Sequence, residues 1–186
     1  MMQRFGAVVI GSLLLAGASA GCSDDRPQRQ DAPPPASTPS LRAPSQDTPA
    51  SADTKALAAY RGMWNAYATA GESADPTHGD LAQYTTGDAL SALTKGLDEY
   101  RDKGQVMKGR PVMTPRVTER PPAGDPVQQF EIQDCLDSTN WLIYEKSGKL
   151  VNDEPGGRRF TGAFVRDTGD GVWKVWSVGV HEVGSC

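Results

Sequence analysis

The sequence has few of the residues with which proteins carry out chemistry. Its 186 residues include two histidines and three cysteines. No C-x-x-C pair occurs, so a metal centre or a redox motif has little support. Ser138 and Ser177 belong to no recognisable Ser-His-Asp motif, which leaves nucleophilic hydrolysis unsupported. We therefore expect no metal, no cofactor and no catalytic dyad.

Positive charge is also scarce. The chain has 19 basic and 23 acidic residues, a net charge of −4, and its Lys and Arg residues form no cluster. Nucleic-acid binding requires a basic surface, so we expect no nucleic-acid partner. The absence of a Lys and Arg cluster also argues against electrostatic docking on anionic lipid.

A long apolar run is missing as well. The longest, residues 5–20, is shorter than the ~20 residues that span a bilayer. Arg4 precedes it, and small residues followed by Cys22 end it, which is typical of a cleavable signal peptide. Because Cys22 directly follows Ala20 and Gly21, the segment resembles a bacterial lipoprotein signal peptide. The resemblance implies cleavage before Cys22, a diacylglycerol on its thiol and an anchor on the extracytoplasmic face of the cell membrane. An ordinary secretory peptide with an incidental cysteine is the alternative.

The next segment is poor in large apolar side chains. Residues 23–52 contain seven of the fourteen prolines, and Leu41 is their single large apolar residue. Such a composition cannot offset the entropy of ordering the chain, so we expect a disordered linker. All tryptophans and tyrosines lie beyond residue 52. The predicted organisation is a signal peptide over residues 1–21, the lipidated cysteine and linker over 22–52, and one folded domain over 53–186.

The cysteine count predicts a disulfide. If Cys22 carries lipid, Cys135 and Cys186 remain as a pair in an oxidising compartment. A bond between them would stabilise the fold by about 4 kcal/mol in the chain-entropy treatment. A two-thiol metal or redox site is the alternative.

Two helical stripes of apolar side chains come first in the folded part. The first predicts a helix over residues 54–70, capped by Asp53 and ended by Gly71. A short helical segment follows at 80–84, and a second long helix runs from its cap at Thr86 to Gly104. The stripe residues are Leu57, Tyr60, Trp64 and Tyr67, then Leu90, Leu93, Leu97 and Tyr100.

Beyond residue 104 the spacing of apolar residues changes from that of a helix to the alternation typical of β-strands. We predict a kinked edge strand over 106–120, strands over 127–135 and 141–145, and a hairpin of 159–166 with 172–183. Helices followed by antiparallel strands predict an α+β fold, with the helices on one face of a curved antiparallel sheet of about four strands.

These features together resemble a known fold family. The aromatic-rich first helix, the Tyr-Thr-Thr-Gly-Asp-Ala-Leu run at 84–90 and Trp173-Lys-Val in the last strand resemble the NTF2-like, cystatin-like cone. Asp134-Cys-Leu-Asp with the terminal Cys186 is similar to a group of lipoproteins from high-GC Gram-positive bacteria. The superfamily includes isomerases, dehydratases and cyclases as well as binding and scaffolding modules. Its enzymes commonly place an Asp–His or Tyr–Asp pair inside the cone.

Four residues are weighed as candidates for such a pair. His78 lies in a loop and is expected to be an exposed turn residue, and His181 is expected at the edge of the last strand. Asp134 and Asp137 are expected to cap the turn after their strand. One of these carboxylates close to His181 in an enclosed pocket would favour an enzyme.

An aromatic set could line a ligand pocket. Its members are Tyr60, Trp64, Tyr67, Trp141, Tyr144 and Trp176. The alternative is that they fill the core between helices and sheet. The last strand is apolar on both faces in strict alternation, which predicts a second covering layer or a partner on its outer face.

The sequence thus favours a membrane-anchored extracytoplasmic lipoprotein whose domain is a non-catalytic binding or interaction module. The expected partners are the membrane, through the lipid, and a protein or small apolar ligand. A small-molecule isomerase or dehydratase using the cone is one alternative. An accessory subunit of a secretion or cell-wall machine is another.

Overall fold

The computed structural model describes residues 49–151, 156–169 and 171–186. The predicted signal peptide, Cys22 and all of the linker before Pro49 lie outside these residues. Within the described residues three helices precede six strands: α1 (Pro49–Gly71), α2 (Gly79–Tyr84), α3 (Gly87–Asp102), β1 (Gln105–Lys108), β2 (Arg116–Glu119), β3 (Gln129–Asp137), β4 (Leu142–Glu145), β5 (Arg158–Asp167) and β6 (Trp173–Val180). No helix among the described residues has both the length and the apolar character to cross a bilayer.

Helix α1 lies at the centre of the fold, in contact with both other helices and with strands of both sheets. The predicted stripe is part of its buried surface, and a second stripe of small residues and one methionine is buried beside it: Ala52, Ala56, Ala59, Met63, Ala66 and Ala70. These residues recur at intervals of three and four, so they share one side of the helix. Their small side chains let neighbouring elements approach α1 closely.

The predicted cap of α1 is wrong. Asp53 lies inside the helix, which starts four residues earlier. Its carboxylate accepts a hydrogen bond from Nε of Arg120 at 2.9 Å. This bond and the attraction between the two charges raise the pKa of Arg120. An aspartate that could cap a helix serves here to tie α1 to the residue that follows β2.

Helix α3 agrees with the predicted period. Leu93 and Leu97 are buried, and Leu90 is half-buried against the core. Thr86 is the N-cap residue, but its side chain makes no capping hydrogen bond. Its backbone N–H instead donates to the carbonyl of Val175 at 3.0 Å. The start of α3 is therefore fixed to the edge of β6.

The strands form two antiparallel sheets. The larger has the order β2-β3-β5-β6, and the smaller pairs β1 with β4. The α+β class and a four-stranded antiparallel sheet are confirmed. The single kinked strand over 106–120 is wrong, because Pro111 and Pro115 separate β1 from β2 and a proline cannot donate a ladder hydrogen bond. β4, expected in the larger sheet, pairs with β1.

A bulge in β6 changes which side chains face the helices. Val175 pairs with Val165, and Ser177 pairs with Phe164, so Trp176 is an additional residue on this strand. Val178 beyond the bulge pairs with buried Ala163 and packs against the core. The prediction of two apolar faces is therefore wrong, because it assumed an unbroken alternation along the strand.

The outer face of the larger sheet is mainly polar. Along β3 the residues Gln129, Glu131 and Gln133 alternate with buried apolar ones. Two large apolar side chains lie on this side, Phe164 at 40% and Trp176 at 36% exposure. The guanidinium of Arg166 covers the Trp176 ring at 4.3 Å from its centroid.

The predicted disulfide between Cys135 and Cys186 is confirmed, with the two Cα atoms 5.9 Å apart. It joins the middle of the larger sheet to the last residue of the chain. Backbone hydrogen bonding supports the same connection, since Gly184 N–H donates to the carbonyl of Arg158 at 2.8 Å. The C-terminal segment is thereby held against the start of β5.

Candidate functional site

A cavity of about 330 Å³ lies between α1, α3 and strands of both sheets. Its lining is mainly aromatic and aliphatic, with one serine and one charged residue on the side of the larger sheet. The lining residues are Trp64, Tyr67, Ala92, Leu93, Tyr100, Met107, Leu136, Ser138, Trp141, Ile143, Arg159, Val178 and Val180.

Three aromatic rings form one wall of the cavity. Trp64 and Tyr67 are three residues apart on α1 and so share a face of the helix. The ring of Trp141 meets both edge to face, with centroids 5.9 Å from each. This geometry is the favourable one for aromatic pairs. The rings hold one another in place, so the wall is largely preformed.

The position of Trp141 depends on the turn that precedes β4. Its backbone N–H donates to the carbonyl of Ser138 at 2.9 Å, which closes the turn. Gly109 lies against this turn with φ +86°, where a side chain would collide with the carbonyl oxygen of Asn140. A glycine is therefore required at position 109 for the chain to pass beneath Trp141.

Half of the predicted aromatic pocket is found at the cavity. Trp64, Tyr67 and Trp141 line it, whereas Tyr60, Tyr144 and Trp176 do not. Tyr60 is fully buried behind the lining. Tyr144 follows the lining residue Ile143 along β4, so strand alternation directs it away, beneath the ammonium of Lys108. Trp176 is turned outward by the bulge in β6.

The sequence reasoning missed several lining residues. Strict alternation along the last strand would place Val178 and Val180 on the outer face together with Trp176, and the bulge brings these two valines inside. Tyr100 was on the predicted stripe of α3 but was not considered for the pocket. Arg159 was missed because a charged residue near the start of an edge hairpin is ordinarily solvated, and no signal in the sequence distinguishes it from Arg158.

Two polar groups on the sheet border the cavity. The hydroxyl of Ser138 donates to the carbonyl of Gly157 at 2.9 Å and accepts from its N–H at 3.2 Å. These two hydrogen bonds tie Ser138 to Gly157, the residue that precedes β5, so the hydroxyl has a structural role. Arg159 is the one charged residue among the described lining residues, which include no carboxylate, imidazole or thiol.

Tyr67 brings a buried hydroxyl to the cavity wall. Burial raises its pKa, and the nearby Tyr100 and Glu99 raise it further. The phenol therefore stays neutral at physiological pH. A side chain on Gly96 of α3 would lie 2.8 Å from this hydroxyl oxygen, so the glycine makes room for it.

A buried tyrosine–aspartate pair lies behind the cavity. The hydroxyl of Tyr60 donates to Oδ2 of Asp134 at 3.1 Å, and the N–H of Thr114 donates to Oδ1 at 2.8 Å. The expectation that Asp134 caps a turn is wrong, because it lies within β3 and is 1% exposed. Neither member of the pair is among the lining residues. A substrate in the cavity has no direct access to them.

The remaining candidates are dispersed. Asp137 caps the turn as predicted, accepting from the N–H of Thr139 at 2.8 Å, and these hydrogen bonds from Thr139 lower the pKa of Asp137. His181 is exposed, with its ring edge-on to Phe160. His78 is half-buried in the loop before α2. Over the described ranges no cluster of three or more His, Cys, Asp or Glu side chains could hold a metal ion.

No family model matches the chain, and no curated protein sequence matches it. Among solved structures the chain is similar to the intermembrane space region of the chloroplast protein ARC6. The two share 14% sequence identity over 74% of this chain and 98% of the other, with a TM-score of 0.49. A similarity of this size carries no information about function.

Proposed function

We propose that this chain is a lipid-anchored extracytoplasmic protein whose NTF2-like domain binds a small apolar molecule without transforming it. The observation that carries the proposal is the cavity of about 330 Å³ with its preformed aromatic wall. Ligand sites in proteins are typically concave, mostly apolar and largely preformed, with few polar groups. The cavity has each of these properties.

Two features support binding over catalysis. The described lining holds no carboxylate or imidazole that could act as a general base, and its serine is engaged by Gly157. General acid–base catalysis needs such a group within hydrogen-bond reach of the substrate. Tyr67 and Tyr100 are the titratable groups of the wall besides Arg159, and burial keeps the Tyr67 phenol protonated.

The membrane anchor is the second part of the proposal. It depends on Cys22 and the apolar run before it, both outside the described residues. Two acyl chains on one cysteine would anchor the protein stably, since each buried methylene contributes about 0.8 kcal/mol. A binding domain tethered in this way would then sample ligands near the membrane surface.

An isomerase or dehydratase is the second candidate. The observation in its favour is the Tyr60–Asp134 pair, which has the composition and hydrogen bond expected of a catalytic pair. Its burial behind the lining argues for a structural role instead. The two candidates differ in a simple way, because an enzyme would convert the molecule it binds.

The neutral fluorophore N-phenyl-1-naphthylamine tests the binding proposal. We would secrete the full chain with Cys22→Ser, so that neither lipid nor detergent competes for the probe. Saturable binding with enhanced emission is expected. Ala92→Trp should weaken it about tenfold or more, because Ala92 lines the cavity from the exposed side of α3.

Ser91→Trp is the matched control. Ser91 is the adjacent exposed residue of α3 and does not line the cavity, so the same bulk there should leave binding unchanged. The proposal is contradicted if the probe does not bind saturably, or if Ala92→Trp and Ser91→Trp weaken its binding equally.

A further inference from the structure

We infer that the molecule bound in this cavity is uncharged and carries a carbonyl-type oxygen that accepts a hydrogen bond from the hydroxyl of Tyr67. This inference rests on the proposed binding function and names the chemical class of its ligand. It follows from the position of the hydroxyl in the cavity wall, from its lack of a hydrogen-bond partner among the described residues and from the apolar surroundings.

The hydroxyl of Tyr67 lies against the part of α3 that lines the cavity. A side chain on Gly96 would come within 2.8 Å of the hydroxyl oxygen. Ala92 and Tyr100, four residues before and four after Gly96, share its side of the helix, and both line the cavity. Tyr67 lines the cavity as well. Its hydroxyl therefore reaches from α1 to the α3 wall, at a point flanked by lining residues.

This hydroxyl differs from that of the other tyrosine of α1, because it has no hydrogen-bond partner within the described part of the chain. The Tyr60 hydroxyl donates to Asp134 at 3.1 Å. For Tyr67, burial and the nearby Tyr100 and Glu99 raise the pKa of the phenol, and no hydrogen bond contributes. A tyrosine hydroxyl shielded from water ordinarily finds a partner. An oxygen of a bound molecule would supply one.

The chemistry of this hydroxyl selects an acceptor on the ligand. Because its pKa is raised, the phenol keeps its proton at physiological pH and is able to donate. A carbonyl oxygen accepts such a bond and brings no charge into contact with the apolar walls, where charge is unfavourable. Arg159 does not call for an anionic ligand, because it already has interaction partners, among them the carbonyl of His181.

The walls describe the apolar body of the ligand. The edge-to-face rings of Trp64 and Trp141 form one side, and Leu93 of α3 and Val178 of β6 add aliphatic surface. A flat ring system can contact both kinds of surface. At about 330 Å³ the cavity is near the lower end of known ligand sites, about 300–1,000 Å³. A compact ketone with a ring system therefore suits this volume better than a complete two-chain lipid.

Two probes of nearly identical shape test the inference. 2-Acetonaphthone carries a carbonyl oxygen, and 2-isopropenylnaphthalene has a CH₂ group in its place. Their dissociation constants for the secreted Cys22→Ser chain follow from displacement of N-phenyl-1-naphthylamine. The ratio of the two constants is compared between variants, because differences in hydration of the free probes cancel in that comparison.

Removing one oxygen atom from the protein assigns the hydrogen bond. Tyr67→Phe should weaken binding of the ketone relative to the hydrocarbon about threefold to tenfold, which is the strength of one neutral hydrogen bond. Binding of the hydrocarbon should remain nearly unchanged. Tyr144→Phe is the matched control, since it removes the same atom from a tyrosine that does not line the cavity, and it should alter neither constant.

Infrared spectroscopy of the bound ketone gives a readout that a merely structural role of Tyr67 would not move. The difference between spectra with ¹²C and ¹³C at the carbonyl isolates the ligand band from the protein amide bands. A hydrogen bond lowers the carbonyl stretching frequency. The band should therefore lie below that of the ketone in cyclohexane, and it should return toward that value in Tyr67→Phe.

The outcomes separate this inference from the function on which it rests. Failure of the fluorophore and of both probes to bind overturns the binding function itself. The inference alone is overturned if the affinity ratio is the same in the wild type and Tyr67→Phe, if it falls only in Tyr100→Phe, or if neither probe displaces a bound fluorophore. Should Tyr67→Phe bind nothing, the wild-type band decides. A frequency equal to that in cyclohexane overturns the inference, and a lowered frequency that persists in Tyr100→Phe supports it.

Discussion

The hydroxyl of Tyr60 donates a hydrogen bond to the carboxylate of Asp134 at 3.1 Å, and at most 1% of either residue is exposed. The bond joins the central helix α1 to the middle of β3. Thr114, on the segment between β1 and β2, donates to the other oxygen of the same carboxylate. One buried side chain thus connects three parts of the fold, and its role is to fix how the helix lies on the sheet.

Removing this carboxylate should be costly. Asp134→Ala leaves the buried Tyr60 hydroxyl without this acceptor, which costs about 1–3 kcal/mol, and it also removes the acceptor of the Thr114 N–H. Tyr60→Phe removes one donor and should cost less. Urea unfolding measures both. A loss below about 0.5 kcal/mol in Asp134→Ala contradicts the role assigned to the pair.

Alkaline pH should weaken the fold through the same residue. Burial, and then the charge of Asp134, raise the pKa of Tyr60 in the folded protein. The unfolded chain loses the Tyr60 proton near pH ~10, whereas the folded chain keeps it. The unfolded state then binds fewer protons, so stability is complete below pH ~10 and falls as pH rises above it.

Tyr60→Phe isolates this contribution. The urea midpoint of this variant should decline less steeply than that of the wild type between about pH 9 and pH 11. This is roughly the range in which a tyrosine of the unfolded chain loses its proton. Parallel declines in the two proteins contradict the assignment to Tyr60.

The disulfide should stabilise the folded state substantially. Cys135 and Cys186 are 51 residues apart in sequence, and closing a loop of this length contributes about 4 kcal/mol in the chain-entropy treatment. Cys135→Ser with Cys186→Ser should lower the free energy of unfolding by an amount of this order. A reductant should produce a similar loss in the wild type and none in the double variant. A change below about 1 kcal/mol would contradict this, because the backbone hydrogen bonds of the C-terminal segment would then hold it in place without the disulfide.

The lipid anchor predicts a change of location. Cys22→Ser should move the protein from the membrane fraction to the medium, because the acylated thiol is its proposed attachment. Cys186→Ser serves as the comparison, since a cysteine elsewhere should leave the protein in the membrane fraction. Wild-type protein found free in the medium, or an N-terminus away from Cys22, contradicts the lipoprotein assignment.

Much of the fold follows from local periodicity. The helices, the β5–β6 hairpin and the buried leucines of α3 follow from regular spacing of apolar residues. The capping of α1 could not be predicted in this way, because the role of Asp53 depends on Arg120, which is distant in sequence.

The cavity was less predictable than the fold. The spacing of apolar residues in α1 predicts that Trp64 and Tyr67 share a face. Val178 lines the cavity because of a bulge in β6 that no sequence pattern marks. Arg159 reaches the cavity through the pairing of β3 with β5. Such features depend on how distant segments meet, and the sequence carries no local record of them.

The most direct test of the binding site uses the four tryptophans as separate reporters. Trp64 and Trp141 line the cavity, whereas Trp173 and Trp176 do not. In ¹⁵N–¹H spectra of the secreted Cys22→Ser chain, each indole N–H gives its own signal. Titration with N-phenyl-1-naphthylamine should shift the signals of Trp64 and Trp141 and leave those of Trp173 and Trp176 in place. Shifts confined to Trp176, or no shift at a probe concentration that saturates the fluorescence change, would contradict the account.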